Sequence, residues 1–184
     1  ANGAMFKDSY ETDESTVKTT IANSVSTDGK EDVVAPGTKG DLVNATISGK
    51  PEVAVHVEYT PNLELTGWDN KDGTGKYCPI VFTVKGETYG LTGMRDSNGE
   101  EVKNQSTDIA DLERAVEAAI TKYSKDYAPN TDLSGINEDY VKVSWEWAFE
   151  GNDDTEDTEL GNKAANGNAS TVHLEIQTRV TQID

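Results

Sequence analysis

Apolar and polar residues alternate along much of the chain, in short runs separated by turn sequences. The alternation is clearest in residues 140–149 and 171–182, where every second side chain is apolar. A period of two is that of a β-strand with one buried and one solvated face. The residues predicted to face inward are Val141, Val143, Trp145, Trp147 and Phe149 in the first run, and Val172, Leu174, Ile176 and Val180 in the second.

Weaker alternation predicts further strands in the first half of the chain, around residues 43–47, 53–59, 63–65, 80–84 and 87–94. Pro61 is expected to end one strand, so that Leu63 and Leu65 belong to the next. About seven or eight strands, each with one wet face, indicate a mostly β fold built as an antiparallel two-sheet sandwich.

One segment follows a helical period instead. Between residues 108 and 127 the apolar side chains recur three or four residues apart, and Pro129 closes the run. This predicts one amphipathic helix beside the sheets. Residues 151–168 are polar and acidic, and we expect a loop there.

The chain divides into a polar arm at residues 1–24 and a sandwich domain at residues 25–184. Within the arm, Val17, Thr19 and Ile21 alternate with polar residues, which predicts a short strand. Such an arm, ahead of a compact sandwich, has little reason to fold back on its own domain, but the sequence leaves open whether it inserts into a neighbour or folds back in the monomer.

The net charge of -18 comes from 34 acidic and 16 basic residues. Nucleic acid and anionic membrane surfaces attract basic proteins, so both are excluded as partners. No apolar run is long enough for membrane insertion. A chain that begins at Ala1 rather than Met favours a processed, secreted protein, and its acidity fits solubility outside the cell.

Residue types that carry catalysis are sparse, and we predict that the chain is not an enzyme. His56 and His173 each fall on the polar face of a predicted strand, as solvated side chains, and no zinc-binding spacing is present. Glu146, between two tryptophans, is the most suggestive acid for glycoside hydrolysis, but core packing of its neighbours explains the pattern more simply. Cys78 is the single cysteine and is expected to be a small buried side chain.

The sequence leaves open whether the protein binds calcium and whether it is glycosylated. Calcium is the one possible cofactor, because Asp153, Asp154, Glu156 and Asp157 concentrate oxygen ligands in one segment. Three N-x-S/T sequons also offer glycosylation sites, of which the second and third fall in predicted loops. The sequon residues are Asn44, Asn104 and Asn168.

Short motifs at both ends of the chain resemble those of secreted proteins of the TasA and camelysin type. The resemblance covers the two ends and thins around the predicted helix. The similar segments are Phe6-Lys-Asp8, Val17-Lys-Thr-Thr-Ile21, Val34-Val-Ala-Pro-Gly-Thr38, Val143-Ser-Trp-Glu-Trp-Ala-Phe-Glu150, Asn152-Asp-Asp154, Asp157-Thr-Glu-Leu-Gly161 and Thr181-Gln-Ile-Asp184.

This resemblance implies a jelly-roll-like subunit of biofilm-matrix or pilus-like fibres, whose partners are copies of itself. In such fibres an N-terminal strand of one subunit completes a sheet of the next. The donor-strand anchors would be Met5, Phe6, Tyr10, Val17 and Ile21. The protease activity once attached to camelysins is not carried over, because the chain has no zinc-ligand motif.

Two other functions compete with this one. A secreted monomeric module that binds carbohydrate or a cell surface would need exposed aromatic residues on a concave face, and the alternation turns most of them inward. A surface-layer component that assembles only with a bound cation is the other alternative.

Overall fold

The computed structural model describes residues 4–5, 13–22, 34–136 and 140–183. In these ranges the chain is mostly β, with two main sheets and two α-helices. The strands are β1 (Ala4–Met5), β2 (Asp13–Ala22), β3 (Lys39–Ala45), β4 (Ile47–Ser48), β5 (Val55–Thr66), β6 (Ile80–Val84), β7 (Glu87–Leu91), β8 (Asn104–Ser106), β9 (Lys125–Tyr127), β10 (Val141–Trp147) and β11 (Thr171–Gln182). The helices are α1 (Ile109–Thr121) and α2 (Asp154–Ala165), and Leu133–Gly135 forms a 3-10 turn.

The two main sheets have different strand orders. One has five strands in the order β3-β10-β6-β7-β8, and the other has four in the order β2-β11-β5-β9. The mostly β, two-sheet prediction is therefore confirmed. The expectation of purely antiparallel pairing is wrong, since β7 pairs parallel with β8 and β1 pairs parallel with β4.

Both sheets contribute side chains to one hydrophobic core. The inward faces of β10 and β11 are buried as their alternation predicts, apart from Phe149. Trp68, just beyond β5, packs edge-on against Trp147 of β10 with 5.9 Å between ring centroids, and its indole N–H donates to the Thr171 carbonyl at 2.9 Å. The start of β11 is thereby fixed to the end of β5.

Phe149 does not continue the inward face of β10, because the strand ends at Trp147. The turn at residues 35–38 closes that end: the Gly37 N–H donates to the Trp147 carbonyl at 2.7 Å, and the Trp147 N–H donates to the Thr38 carbonyl at 2.9 Å. The Phe149 ring then lies beside Gly37 and is 69% exposed.

Two predicted boundaries are also wrong. β5 runs without a break through Pro61, because a sheet edge needs no ladder N–H at that position. The helix predicted over 108–127 stops at Thr121, and Lys125–Tyr127 form β9 along the start of β5.

The acidic segment predicted as a loop contains α2. Asp153 caps this helix by accepting from the N–H groups of Thr155 and Glu156 at 3.0 and 3.1 Å. Leu160 is its only buried apolar side chain, so the sequence carries no apolar stripe to reveal it. No helix in the described ranges is long and apolar enough to cross a membrane.

Candidate assembly edge

β2 is the outermost strand of the four-stranded sheet. It pairs antiparallel with β11 from Asp13, opposite Val180, to Ala22, opposite Thr171. In the part of the chain that the structure describes, β11 is its only ladder partner within the sheet. Since β11 also pairs with β5 over its whole length, β2 can leave without breaking the ladder between the remaining strands.

The inner face of this pairing is apolar on the β11 side. Val172, Leu174 and Ile176 are fully buried and lie opposite Ile21, Thr19 and Val17. Ile21 is partly buried and packs against the core. β2 is therefore held by a ten-residue strand ladder and by contact with the core.

The outer face adds a side-chain hydrogen bond between the two strands. Thr20 Oγ1 and His173 Nδ1 are 2.6 Å apart, and His173 Nε2 lies 3.9 Å from a carboxylate oxygen of Glu175. His56 lies 2.6 Å from the carboxylate of Asp126. Both histidines are partly exposed on the outer faces of their strands, in line with the predicted surface positions, and each also has a side-chain partner.

The predicted donor-strand anchors are only partly described. Val17 and Ile21 lie in β2, and Met5 lies in β1, opposite Ser48 of β4. Phe6 and Tyr10 lie outside the described residues. In the single chain β2 pairs with its own β11, which is the folded-back arrangement that the sequence left open.

At the opposite edge of the same sheet, the outward N–H groups of β5 beyond β9 are already occupied or absent. β9 covers only Val55–Val57 of β5, and the next outward N–H groups are met by side chains. Tyr59 N–H donates to Ser124 Oγ at 3.1 Å. Leu63 N–H donates to Glu117 Oε2 at 3.1 Å, and Leu65 N–H donates to Glu113 Oε2 at 3.0 Å.

Pro61 occupies the remaining outward position of β5, where it has no N–H to offer. From residue 59 to residue 65, each backbone donor along this edge is therefore occupied or absent. Glu113 and Glu117 can both accept hydrogen bonds from β5 because residues four apart lie on one face of a helix. This cap was not predicted from the residue pattern, although a proline inside a strand pattern is itself a sign of a sheet edge.

The edges of the five-stranded sheet are less suited to pairing with a strand of another chain. β8 is three residues long, and the exposed side chains of β3 are Lys39, Asp41 and Asn44. Short edge strands and exposed charges discourage pairing with another chain. Among the described edges, the β2–β11 pair is the longest ladder that involves a peripheral strand.

The acidic cluster proposed for calcium forms the N-terminus of α2. Asp153 caps the helix, and Glu156 Oε2 accepts from the Lys71 N–H at 2.6 Å. Asp157 points inward and accepts from the Tyr77 hydroxyl at 2.6 Å. The described residues contain no group of three or more ligands arranged to hold a metal ion.

Asp157 is a buried acid. Burial raises its pKa, and the neighbouring charges of Asp154 and Asp153 act in the same direction, while the Tyr77 hydrogen bond opposes them. The Trp147 indole N–H favours the charged form as well, although it makes no hydrogen bond of good geometry. Burial and the Asp157 carboxylate also raise the pKa of Tyr77, which keeps that hydroxyl a donor.

The three sequons have different surroundings. Asn168 is exposed beyond the end of α2, and Asn44 is exposed on β3. Asn104 lies in β8 rather than in a loop, and its amide donates to the Thr88 carbonyl at 2.9 Å. Asn168 and Asn44 are therefore the more accessible of the three.

No family model, curated protein or solved structure matches this chain.

Proposed function

We propose that this protein is an extracellular structural subunit that polymerises head to tail into filaments by exchanging β2 between copies. The body at residues 25–184 would be a jelly-roll-like sandwich, and residues 1–24 would be the donated arm. The observation that carries this proposal is the position of β2, a long edge strand on a sheet whose other edge is capped.

The covalent connection leaves room for exchange. Residues 23–33 join β2 to the first bridge of the body at Val34. A fully extended chain of that length spans roughly 35–40 Å, about as long as β2 itself. A copy placed at this distance could receive the strand on its own β11.

The exchanged contact would be directional. Each copy gives a strand at one surface and accepts a strand at β11, so donor and acceptor surfaces differ. A contact of this kind that does not close into a ring produces an open filament. In this role the chain needs no catalytic residue.

A cysteine pair across β2 and β11 tests the exchange directly. Thr20 and His173 lie opposite each other, so the double variant Thr20→Cys, His173→Cys places two thiols within reach of a disulfide. Oxidation of dilute protein should lock β2 in its own subunit and prevent assembly until a reductant is added. Oxidation after assembly should instead link neighbouring subunits, giving a ladder of multimers on non-reducing gels.

His173 has a second cross-strand neighbour that supplies the matched control. Glu64 of β5 also lies opposite it, and the variant Glu64→Cys, His173→Cys joins two strands of the same body. This disulfide should form within each subunit before and after assembly and give no ladder. Cys78 is fully buried and its pKa is raised to about 12, so it should not compete. Filaments in which the disulfide between β2 and β11 stays within single subunits would disprove strand exchange.

A further inference from the structure

An open groove lies beside the end of β10, with Phe149 on its wall. Phe149 is the one large hydrophobic side chain that is exposed among the residues the structure describes. The groove has a volume of about 800 Å³, within the range of roughly 300–1,000 Å³ that small-molecule sites occupy. Small-molecule sites of this size are commonly lined by aromatic side chains, and Phe149 supplies one such ring.

Hydrogen bonds fix one wall of the groove. Besides its bonds to Trp147, the turn at residues 35–38 is braced internally, because Thr38 Oγ1 donates to the Ala35 carbonyl at 2.7 Å and accepts from the Ala35 N–H at 3.0 Å. Gly37 has φ +87°, and a β-carbon there would lie 3.3 Å from the Phe149 ring. The lack of a side chain at Gly37 lets the ring rest on the turn.

The other wall is the turn at residues 95–99. Asp96 Oδ1 accepts from the N–H groups of Asn98 and Glu100 at 2.9 and 3.0 Å, and Arg95 donates to the Gly99 carbonyl at 2.8 Å. Ser97 Oγ donates to Glu146 Oε2 of β10 at 2.9 Å, tying the turn to the sheet. Both walls are therefore formed before any ligand arrives, which lowers the entropy lost on binding.

The charges of the lining differ from those of the whole chain. The lining includes two cationic residues, Lys39 and Arg95, and two acidic ones, Glu146 and Glu150, so its formal charges cancel. The chain as a whole carries -18 and repels polyanions. A neutral ligand with many hydroxyl groups suits this lining, since it can both donate to the carboxylates and accept from the cations.

We propose that this groove binds a neutral oligosaccharide, with Phe149 as the platform for one sugar ring. A sugar ring presents C–H groups on one face, and these pack against the electron-rich face of an aromatic ring. The hydroxyl groups at its rim would meet Glu146, Arg95 and Asn98. The site would let the protein bind polysaccharide without any contribution from β2, whether or not it polymerises.

Calorimetric titration with cellohexaose, laminarihexaose, mannohexaose and chitohexaose tests the proposal. At least one of these four should bind, and Phe149→Ala should weaken that binding by about tenfold or more. Phe149→Tyr keeps the ring and should retain binding within about threefold. Lys142→Ala, at the other end of β10, is the control and should change nothing.

Phe149 is mostly exposed, so its alanine variant should keep the melting temperature of the parent. The proposal fails if none of the four sugars binds at millimolar concentration, or if Phe149→Ala binds as tightly as the parent. It also fails if the groove prefers an acidic oligogalacturonate, or if Phe149→Ala dissociates an oligomer of the parent protein. That last outcome would make the groove a contact between copies.

Discussion

Asp157 is an acid placed where a neutral group fits better. Its folded pKa is raised by burial, so the folded state holds the proton more tightly than the unfolded chain does. The resulting stability is fully present below the unfolded pKa, near 4, and is lost as pH rises through the folded value. Wherever the carboxylate is charged in the folded protein, its burial lowers the stability of the fold.

Asp157→Asn keeps an oxygen that accepts from Tyr77 and removes the buried charge. We expect the free energy of unfolding at pH 7 to rise by up to about 1 kcal/mol, and the gain to shrink as pH falls toward 4. Urea unfolding across this pH range measures it. A loss of stability at pH 7 would show that the charge is needed.

Asp154 provides a comparison rather than a neutral control, because it is exposed in the same turn of α2 and its charge also raises the pKa of Asp157. There the charge interacts favourably with the helix N-terminus. Asp154→Asn should therefore lose a few tenths of a kcal/mol at pH 7.

Single residues explain where sequence analysis succeeds and fails at this scale. Val172, Leu174 and Ile176 are predictable because alternation inside a strand fixes which face each occupies. Phe149 continues the same alternation in the sequence, yet it lies beyond the end of β10. Alternation of apolar and polar residues does not show where a strand stops. Likewise, the Tyr77–Asp157 bond joins residues 80 positions apart, and no local spacing signals it.

At the scale of elements, α1 serves as a cap on a sheet edge as well as a part of the core. Its buried side chains include Leu112 and Val116, while Glu113 and Glu117 reach the backbone of β5. A helix that offers carboxylates to a strand supplies the hydrogen bonds that another strand would otherwise supply.

The double variant Glu113→Ala, Glu117→Ala should uncover this edge. We expect a loss of about 1 kcal/mol for each unpaired N–H, faster hydrogen exchange at the Leu63 and Leu65 amides, and irregular aggregation. Exchange measured by NMR and light scattering would show these effects.

Glu159→Ala, at a half-exposed position of α2, is the control and should leave exchange and scattering unchanged. Unaltered exchange at both leucine amides in the double variant would mean that α1 does not protect the edge.

Whole elements are predictable where a full face is buried and not elsewhere. α1 has an apolar stripe that the sequence reveals, whereas α2 buries only Asp157 and Leu160 and shows little beyond its capping residue, Asp153. The sequence predicts a strand end at Pro61 because proline breaks interior ladders, but this proline lies on an edge. The partner of β2 has no local signal, since alternation gives a strand's faces and not its neighbour.

At the scale of the whole molecule, charge should govern how readily copies meet. Subunits that each carry -18 repel one another, and salt screens that repulsion over about 10 Å at 0.1 M. Assembly followed by light scattering should therefore start sooner in about 0.5 M than in about 0.02 M sodium chloride. Slower assembly at high salt would point to specific ion pairs between subunits instead.

A chain that lacks residues 1–22 has no β2 to give, but it keeps β11 to receive one. Alone, the truncated protein should remain monomeric. Mixed with a molar excess of the full-length protein, it should shorten the filaments, because each truncated copy accepts a strand but has none to donate. Electron micrographs of the mixtures give the length distribution. Filament formation by the truncated chain alone would exclude β2 as the link.

In the proposed exchange, β2 would keep on the β11 of a second copy the register that it has on its own β11. The difference between the monomer and the polymer is then mainly a competition between a tethered strand and a free one. The effective concentration of a tethered strand is set by the length of its tether, and for short linkers it can reach the millimolar range. Dilute protein should therefore persist as monomers in which β2 pairs with its own β11. Filament growth would begin where the local protein concentration is high, or at a seed that already presents an unoccupied β11.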